Sequence, residues 1–116
     1  MYEYNATVVY VSDGDTIDCS VNLGFEVGLI KIRFRLWGIN ADETTLRGGT
    51  TPEEKAKGLE TKAWLKDRIE GQRVVIKTHM DKAGKYGRWL CEVIHDGVNL
   101  NDYMVEHGMA VPYMRD

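Results

Sequence analysis

Five short runs, at residues 6–11, 15–21, 30–36, 73–79 and 88–94, either alternate apolar with polar residues or concentrate Val, Ile and aromatic side chains. Such runs read as strands, because successive strand side chains point to opposite faces and branched or aromatic residues fit the pleated surface. In residues 30–36 the alternation puts Ile32, Phe34 and Leu36 on one face and Lys31, Arg33 and Arg35 on the other. One face then makes core and the other is cationic. Asp13-Gly14 and Asp96-Gly97 supply turns between runs.

Only one long stretch carries a helical pattern. Thr51 is a capping residue, Pro52 suits the first turn, Glu54 completes a capping box and Gly71 ends the helix. Ala56, Leu59 and Ala63 share a stripe that Trp64, Leu65 and Ile69 widen, so the helix is expected to lie on a sheet. A second, short helix is expected over 101–107, stopped by Gly108. Strands interrupted by two helices, with no alternating βα units, predict an α+β fold that is mainly β, with an antiparallel sheet or small barrel.

At 116 residues, 43% of them hydrophobic, the chain suits one domain spanning 1–116. Its formal charge of −3 excludes a protein that coats nucleic acid through bulk positive charge. No apolar run approaches the roughly 18 residues of a membrane span, and residues 1–3 lack the basic and apolar segments of a secretory leader, so a cytoplasmic protein without membrane contact is expected. Cys19 and Cys91 lack metal-ligand spacing and read as buried free thiols.

Three segments can carry chemistry. Asp13-Gly14-Asp15-Thr16 sets two carboxylates beside a turn and could hold a hard cation, although Asp-Gly taken alone is more often a plain hairpin turn. Arg35 is followed closely by Asn40, Ala41, Asp42 and Glu43, a guanidinium that matches phosphate beside several oxygen donors. Residues 82–88 combine Lys85, Tyr86 and Arg88 with two glycines, which suits a nucleotide's phosphate and ring. His79, His95 and His107 lack metal-ligand spacing and read as structural or exposed; Trp37, Trp64 and Trp89 read as core or groove wall.

Taken in order, residues 13–16 (Asp-Gly-Asp-Thr), 34–43 (Phe-Arg-Leu-Trp-Gly-Ile-Asn-Ala-Asp-Glu) and 85–88 (Lys-Tyr-Gly-Arg) resemble the three signature segments of the staphylococcal nuclease family. The likeness continues through the helix and through residues 98–110, covering nearly the whole chain. It implies a five-stranded OB-type barrel flanked by one long and one short helix, and calcium-dependent hydrolysis of DNA or RNA to products with 3′-phosphates. By the same resemblance Asp15, Asn40 and the Ala41 carbonyl match calcium ligands, with Asp13 and Asp42 carboxylates nearby. Arg35 and Arg88 match the phosphate-clamping arginines and Glu43 the general base. Lys85, Tyr86 and Tyr113 match substrate contacts, Tyr113 as a base-stacking ring.

The sequence departs from that pattern in three places. Asn40 stands where the best-known member has an aspartate, which removes one negative charge from the cation's surroundings. Asp42 stands where proline is frequent, and residues 23–29 extend a hairpin. A rival reading makes the domain a barrel that binds nucleic acid or protein without cutting; another makes the carboxylates a purely structural calcium site. The enzyme is preferred because Asp15, Arg35, Glu43 and Arg88 occur together, and a binder has no need of a water-activating carboxylate.

Overall fold

In the computed structural model, which describes residues 2–41, 51–79 and 89–113, residues 6–11, 16–21, 30–36, 73–79 and 89–94 of the five runs lie in strands. The chain order is β1 (Glu3–Asp13), β2 (Thr16–Gly24), β3 (Val27–Leu36), β4 (Ile39–Ala41), α1 (Pro52–Ile69), β5 (Arg73–His79), β6 (Trp89–His95), β7 (Val98–Asn99), α2 (Leu100–Glu106) and β8 (Ala110–Pro112). Strand β1 pairs antiparallel with β2 along its length and with β5 over its first half. Register shifts at Val8/Tyr10 and Val11/Asp13 let one strand bend around two sides of the molecule.

Antiparallel pairing alone leaves β3 and β6 as neighbours across a gap. Three parallel pairs, Phe34↔Trp89, Arg35↔Leu90 and Leu36↔Cys91, close it. The circuit β1-β2-β3-β6-β5 is a closed five-stranded barrel, which with the two helices matches the expected OB-type α+β fold. Val8, Val11, Ile17, Phe34, Leu36, Ile76 and Val93 fill the interior. Cys19 and Cys91 are free and buried there. Loss of solvation, reinforced by Asp18, pushes the Cys19 thiol up to about 12, so it stays a neutral core residue.

Helix α1 begins as its sequence predicts: the Glu54 N–H donates to Thr51 Oγ1 at 3.1 Å and Pro52 occupies the first turn. Gly71 leaves the helix with φ +80 and its N–H donates to the Val8 carbonyl at 2.7 Å, tying the helix end to β1. The buried stripe differs from the expected one. Gly58, Thr61, Leu65 and Ile69 face inward, whereas Ala56 and Ala63 are exposed and Leu59 is 45% exposed. Thr61 packs on the turn residue Gly14: a Cβ on Gly14 would lie 3.0 Å from Thr61 Cγ2 and 3.1 Å from Ala41 Cβ. Leu65 and Ile69 anchor the helix, each burial stabilising by about 1.5–3 kcal/mol.

Two further expectations change. The turn joining β1 and β2 is Gly14-Asp15, closed by the pair Asp13↔Thr16. The cationic face of β3 is no free stripe. Arg33 donates to both oxygens of buried Asp18, at 2.8 and 3.3 Å, and Lys31 sits at φ +56 in a bulge.

Candidate functional site

The Gly14-Asp15 turn, the end of β3 and the β4–β8 ribbon meet at one end of the barrel. The Asp15 carbonyl accepts the Leu36 N–H at 2.8 Å, fixing the turn against β3. Its carboxylate then reaches across to β4: Oδ2 accepts the Ala41 N–H at 3.2 Å, and Oδ1 accepts the Thr16 hydroxyl at 3.1 Å. Asp13 Oδ1 accepts the Gly14 N–H at 3.0 Å, bracing the same turn. Gly14 is required here by the close approach of Thr61 and Ala41, since its φ is ordinary.

Arg35 extends from the last turn-ward residues of β3. Its Nη2 donates to Asn40 Oδ1 at 3.1 Å, and its guanidinium carbon lies 4.9 Å from the centre of the Tyr113 ring. Tyr113 arrives there because β8 pairs with β4 (Ile39↔Pro112, Asn40↔Val111, Ala41↔Ala110) and the Tyr113 N–H donates to the Gly38 carbonyl at 2.8 Å. Asp13, Asp15, Arg35, Asn40, Ala41 and Tyr113 thus share one end of the barrel. Asp42, Glu43, Lys85, Tyr86 and Arg88 lie outside the described residues.

Residues that the sequence reading passed over hold this end in place. Asn101 is fully buried; its Oδ1 accepts the Val93 N–H at 3.0 Å, and its Nδ2 donates to the carbonyls of Trp37 at 2.8 Å and Cys91 at 3.1 Å. One amide thereby knits α2, β6 and the β3–β4 turn. An asparagine in a short amphipathic helix gives no sequence signal of that role. The Trp37 ring stacks on His79 with centroids 4.0 Å apart. His79 in turn pairs with Glu92 at 2.7 Å, and Glu92 accepts the Asn99 amide at 2.9 Å. Burial alone would raise the Glu92 carboxyl, but these two hydrogen bonds and the charges of His79 and Lys77 outweigh it and hold the group below 4.5. His79 and His95 are engaged in contacts and His107 is exposed, as the sequence reading has them. Trp64 stacks on Tyr103 against the core. Of the two expectations for Trp89, core or groove wall, its 61% exposure removes the first.

The family model for staphylococcal nuclease homologues matches residues 33–116, the greater part of the chain. The chain belongs to this family. Members generally act on nucleic acid, and the closed barrel with two helices is a nuclease-like fold. A Bacillus anthracis protein described as uncharacterised is 30% identical over 105 residues, 90% of this chain. The chain spans 45% of that relative's length.

A hard cation would find a partial set of donors here. Asp15, Asn40 and the Ala41 carbonyl are oxygen ligands of the type calcium takes, with no thiolate or imidazole among them. Among the described residues no group of three His, Cys, Asp or Glu side chains forms a metal site. Asp15 is the one carboxylate of that ligand set, so the donor type fits a hard cation while the charge is low. No described helix is long and apolar enough to cross a membrane.

Proposed function

We propose that this domain is a calcium-dependent phosphodiesterase that hydrolyses DNA or RNA and leaves 3′-phosphates. The observation that carries the reading is the gathering of Asp15, Arg35, Asn40, Ala41 and Tyr113 at one end of a staphylococcal-nuclease barrel, from segments nearly a hundred residues apart. Calcium, held by Asp15, Asn40 and the Ala41 carbonyl, would supply a positive charge beside a phosphate oxygen. Arg35 and Arg88 take up charge that develops on the phosphoryl oxygens in the transition state, where a guanidinium fork matches two of them. Glu43 orients water and accepts its proton, Lys85 and Tyr86 hold the nucleotide, and Tyr113 offers its ring to a base. Asp13 braces the turn through Gly14, and Asp42 adds a carboxylate to the cation's surroundings. A site that grips phosphate does not read base identity, so no base preference is expected.

A second reading, a barrel that binds nucleic acid or a protein without cutting, is favoured by one contact. Arg35 already occupies the Asn40 amide oxygen that the cation would use. The two readings separate in one assay: purified chain with single-stranded DNA in excess calcium, with and without chelator, beside an identically purified Arg88→Ala variant. Chelator-sensitive cleavage that disappears in the variant is the expected result. DNA left intact across a wide calcium range, yet retained in a filter-binding assay, puts the binding module in its place.

A further inference from the structure

Arg35 and Asn40, the two ends of the hydrogen bond that crosses the site, are joined through a turn at Trp37-Gly38. Their spacing depends on how that turn is set. Its main chain is tied by three bonds: the Trp37 N–H donates to the Cys91 carbonyl at 2.8 Å, the Trp37 carbonyl accepts from Asn101, and the Gly38 carbonyl accepts the Tyr113 N–H at 2.8 Å. Gly38 itself holds φ +76, where a glycine pivots more freely than any other residue. A side chain that fixes the tilt of the turn therefore bears directly on the geometry of Arg35 and Asn40. The Trp37 indole makes such a contact, lying flat on the His79 imidazole with centroids 4.0 Å and planes 6° apart.

Sheet register sets that stack on the surface that bears Arg35. Leu90 is the lateral partner of Arg35 in β3 and of His79 in β5, and laterally paired side chains rise from one face. His79 thus stands two strand spacings, about 10 Å, from Arg35. Its ring is held in plane: Nε2 donates to Glu92 Oε2 at 2.7 Å, and the other carboxylate oxygen accepts the Asn99 amide at 2.9 Å. Both side chains of the pair are mostly buried, with 14% and 15% exposure. A histidine–carboxylate pair made for stability alone works at many ring tilts, whereas this one presents a fixed aromatic face to the turn of the site. We infer that His79 is a positioning residue: Glu92 and Asn99 orient its imidazole, the imidazole seats Trp37, and Trp37 sets the turn that holds Arg35 against Asn40 and Tyr113. The ring of His79, rather than its hydrogen bond, is then what the site needs. The consequence for turnover rests on the phosphodiesterase reading; the consequence for geometry rests on the contacts alone.

Two variants separate the ring from the hydrogen bond. His79→Gln keeps an amide donor for Glu92 and removes the ring; His79→Phe keeps a ring for Trp37 and removes the donor, leaving Glu92 its bond from Asn99. Native-state amide exchange of the full chain reads the turn without any need for catalysis. In His79→Gln the amides of Tyr113 and Ala41, which donate to Gly38 and Asp15, are expected to exchange about tenfold faster than in wild type, while the Val8 amide, bonded to Gln72, keeps its protection. In His79→Phe all three are expected to stay within about threefold of wild type. On single-stranded DNA in excess calcium, kcat of His79→Gln should fall about tenfold at unchanged KM, and His79→Phe should retain most of it. Unchanged Tyr113 and Ala41 exchange in His79→Gln, or a His79→Phe variant as loose as His79→Gln, overturns the positioning role. Protection lost equally at Val8 also overturns it, since His79 would then serve general stability. Faster exchange at Tyr113 and Ala41 with kcat unchanged overturns the link to the reaction. The expected exchange pattern in a chain that cuts no DNA upholds the positioning role and sinks the phosphodiesterase reading instead.

Discussion

The two ends of this barrel spend their polar and apolar groups in opposite ways. At the Asp15 end, a turn, a strand end and a two-stranded ribbon are cross-tied: the Asp15 carbonyl to Leu36, its carboxylate to Ala41, Arg35 to Asn40, Tyr113 to Gly38. Behind these ties, Asn101 satisfies three backbone groups at once. At the hairpin end the β2–β3 ribbon carries large apolar side chains into solvent on a turn with two strained residues. The contrast teaches which groups the fold itself needs. Polar groups at the first end are held in fixed positions before any ligand arrives, which is what charge stabilisation of a reacting phosphate requires. Apolar groups at the second end contribute little to the isolated chain and become favourable only when covered.

Four variants break or sharpen that contrast. Arg35→Ala removes a guanidinium without touching the core, and turnover on single-stranded DNA should fall about 100-fold or more while the melting temperature holds. Turnover within a few-fold of wild type would detach Arg35 from the chemistry. Asn101→Ala leaves the Val93 N–H and the Trp37 and Cys91 carbonyls without their partner. Urea unfolding should show about 2–4 kcal/mol lost, with turnover also falling because the β3–β4 turn loosens. A loss below 1 kcal/mol would mean that water replaces the amide.

The hairpin end should respond in the other direction. Replacing Phe25-Glu26 by Asn-Gly relieves both positive-φ positions and removes a fully exposed ring. Stability should rise by about 1 kcal/mol and turnover should stay unchanged. Destabilisation would show that the hairpin contributes to the monomer after all. The smallest effect belongs to Glu92, whose folded carboxyl sits below 4.5. Its hydrogen bonds from His79 and Asn99 therefore stabilise the fold above about pH 4.5, and that contribution disappears as pH falls through the lower folded value. The stability gap between wild type and Glu92→Gln, under about 1 kcal/mol at neutral pH, should close in acid denaturation once the pH has fallen through the lowered folded value. A gap that persists at low pH would assign the effect to packing.

Much of the barrel is legible in the residues. The alternation in β3, the Thr51-Pro52-Glu54 start of α1 and the Gly71 stop are local signals, and each produced the element it announced. Strands β4, β7 and β8 are two or three residues long. No periodicity exists at that length, and they form only because a partner strand is already in place. The buried face of α1 escaped the hydrophobic pattern for a related reason: Thr61 packs on Gly14, beside Ala41, a contact set by the whole barrel. Likewise Trp89 matched a strand but ended largely in solvent.

The sequence by itself determined the strand and helix periods, the barrel class, the family and the candidate site residues, because backbone pattern and motif spacing are properties of neighbouring residues. Only the tertiary structure decided that Tyr113 lies over Arg35, that Arg35 reaches Asn40, that Asn101 supports both, and that the hairpin stands uncovered. Those outcomes depend on β3 closing against β6 and β4 pairing with β8. They are contacts between segments far apart in the chain, and their free energy exists only once the barrel has closed and brought those segments together.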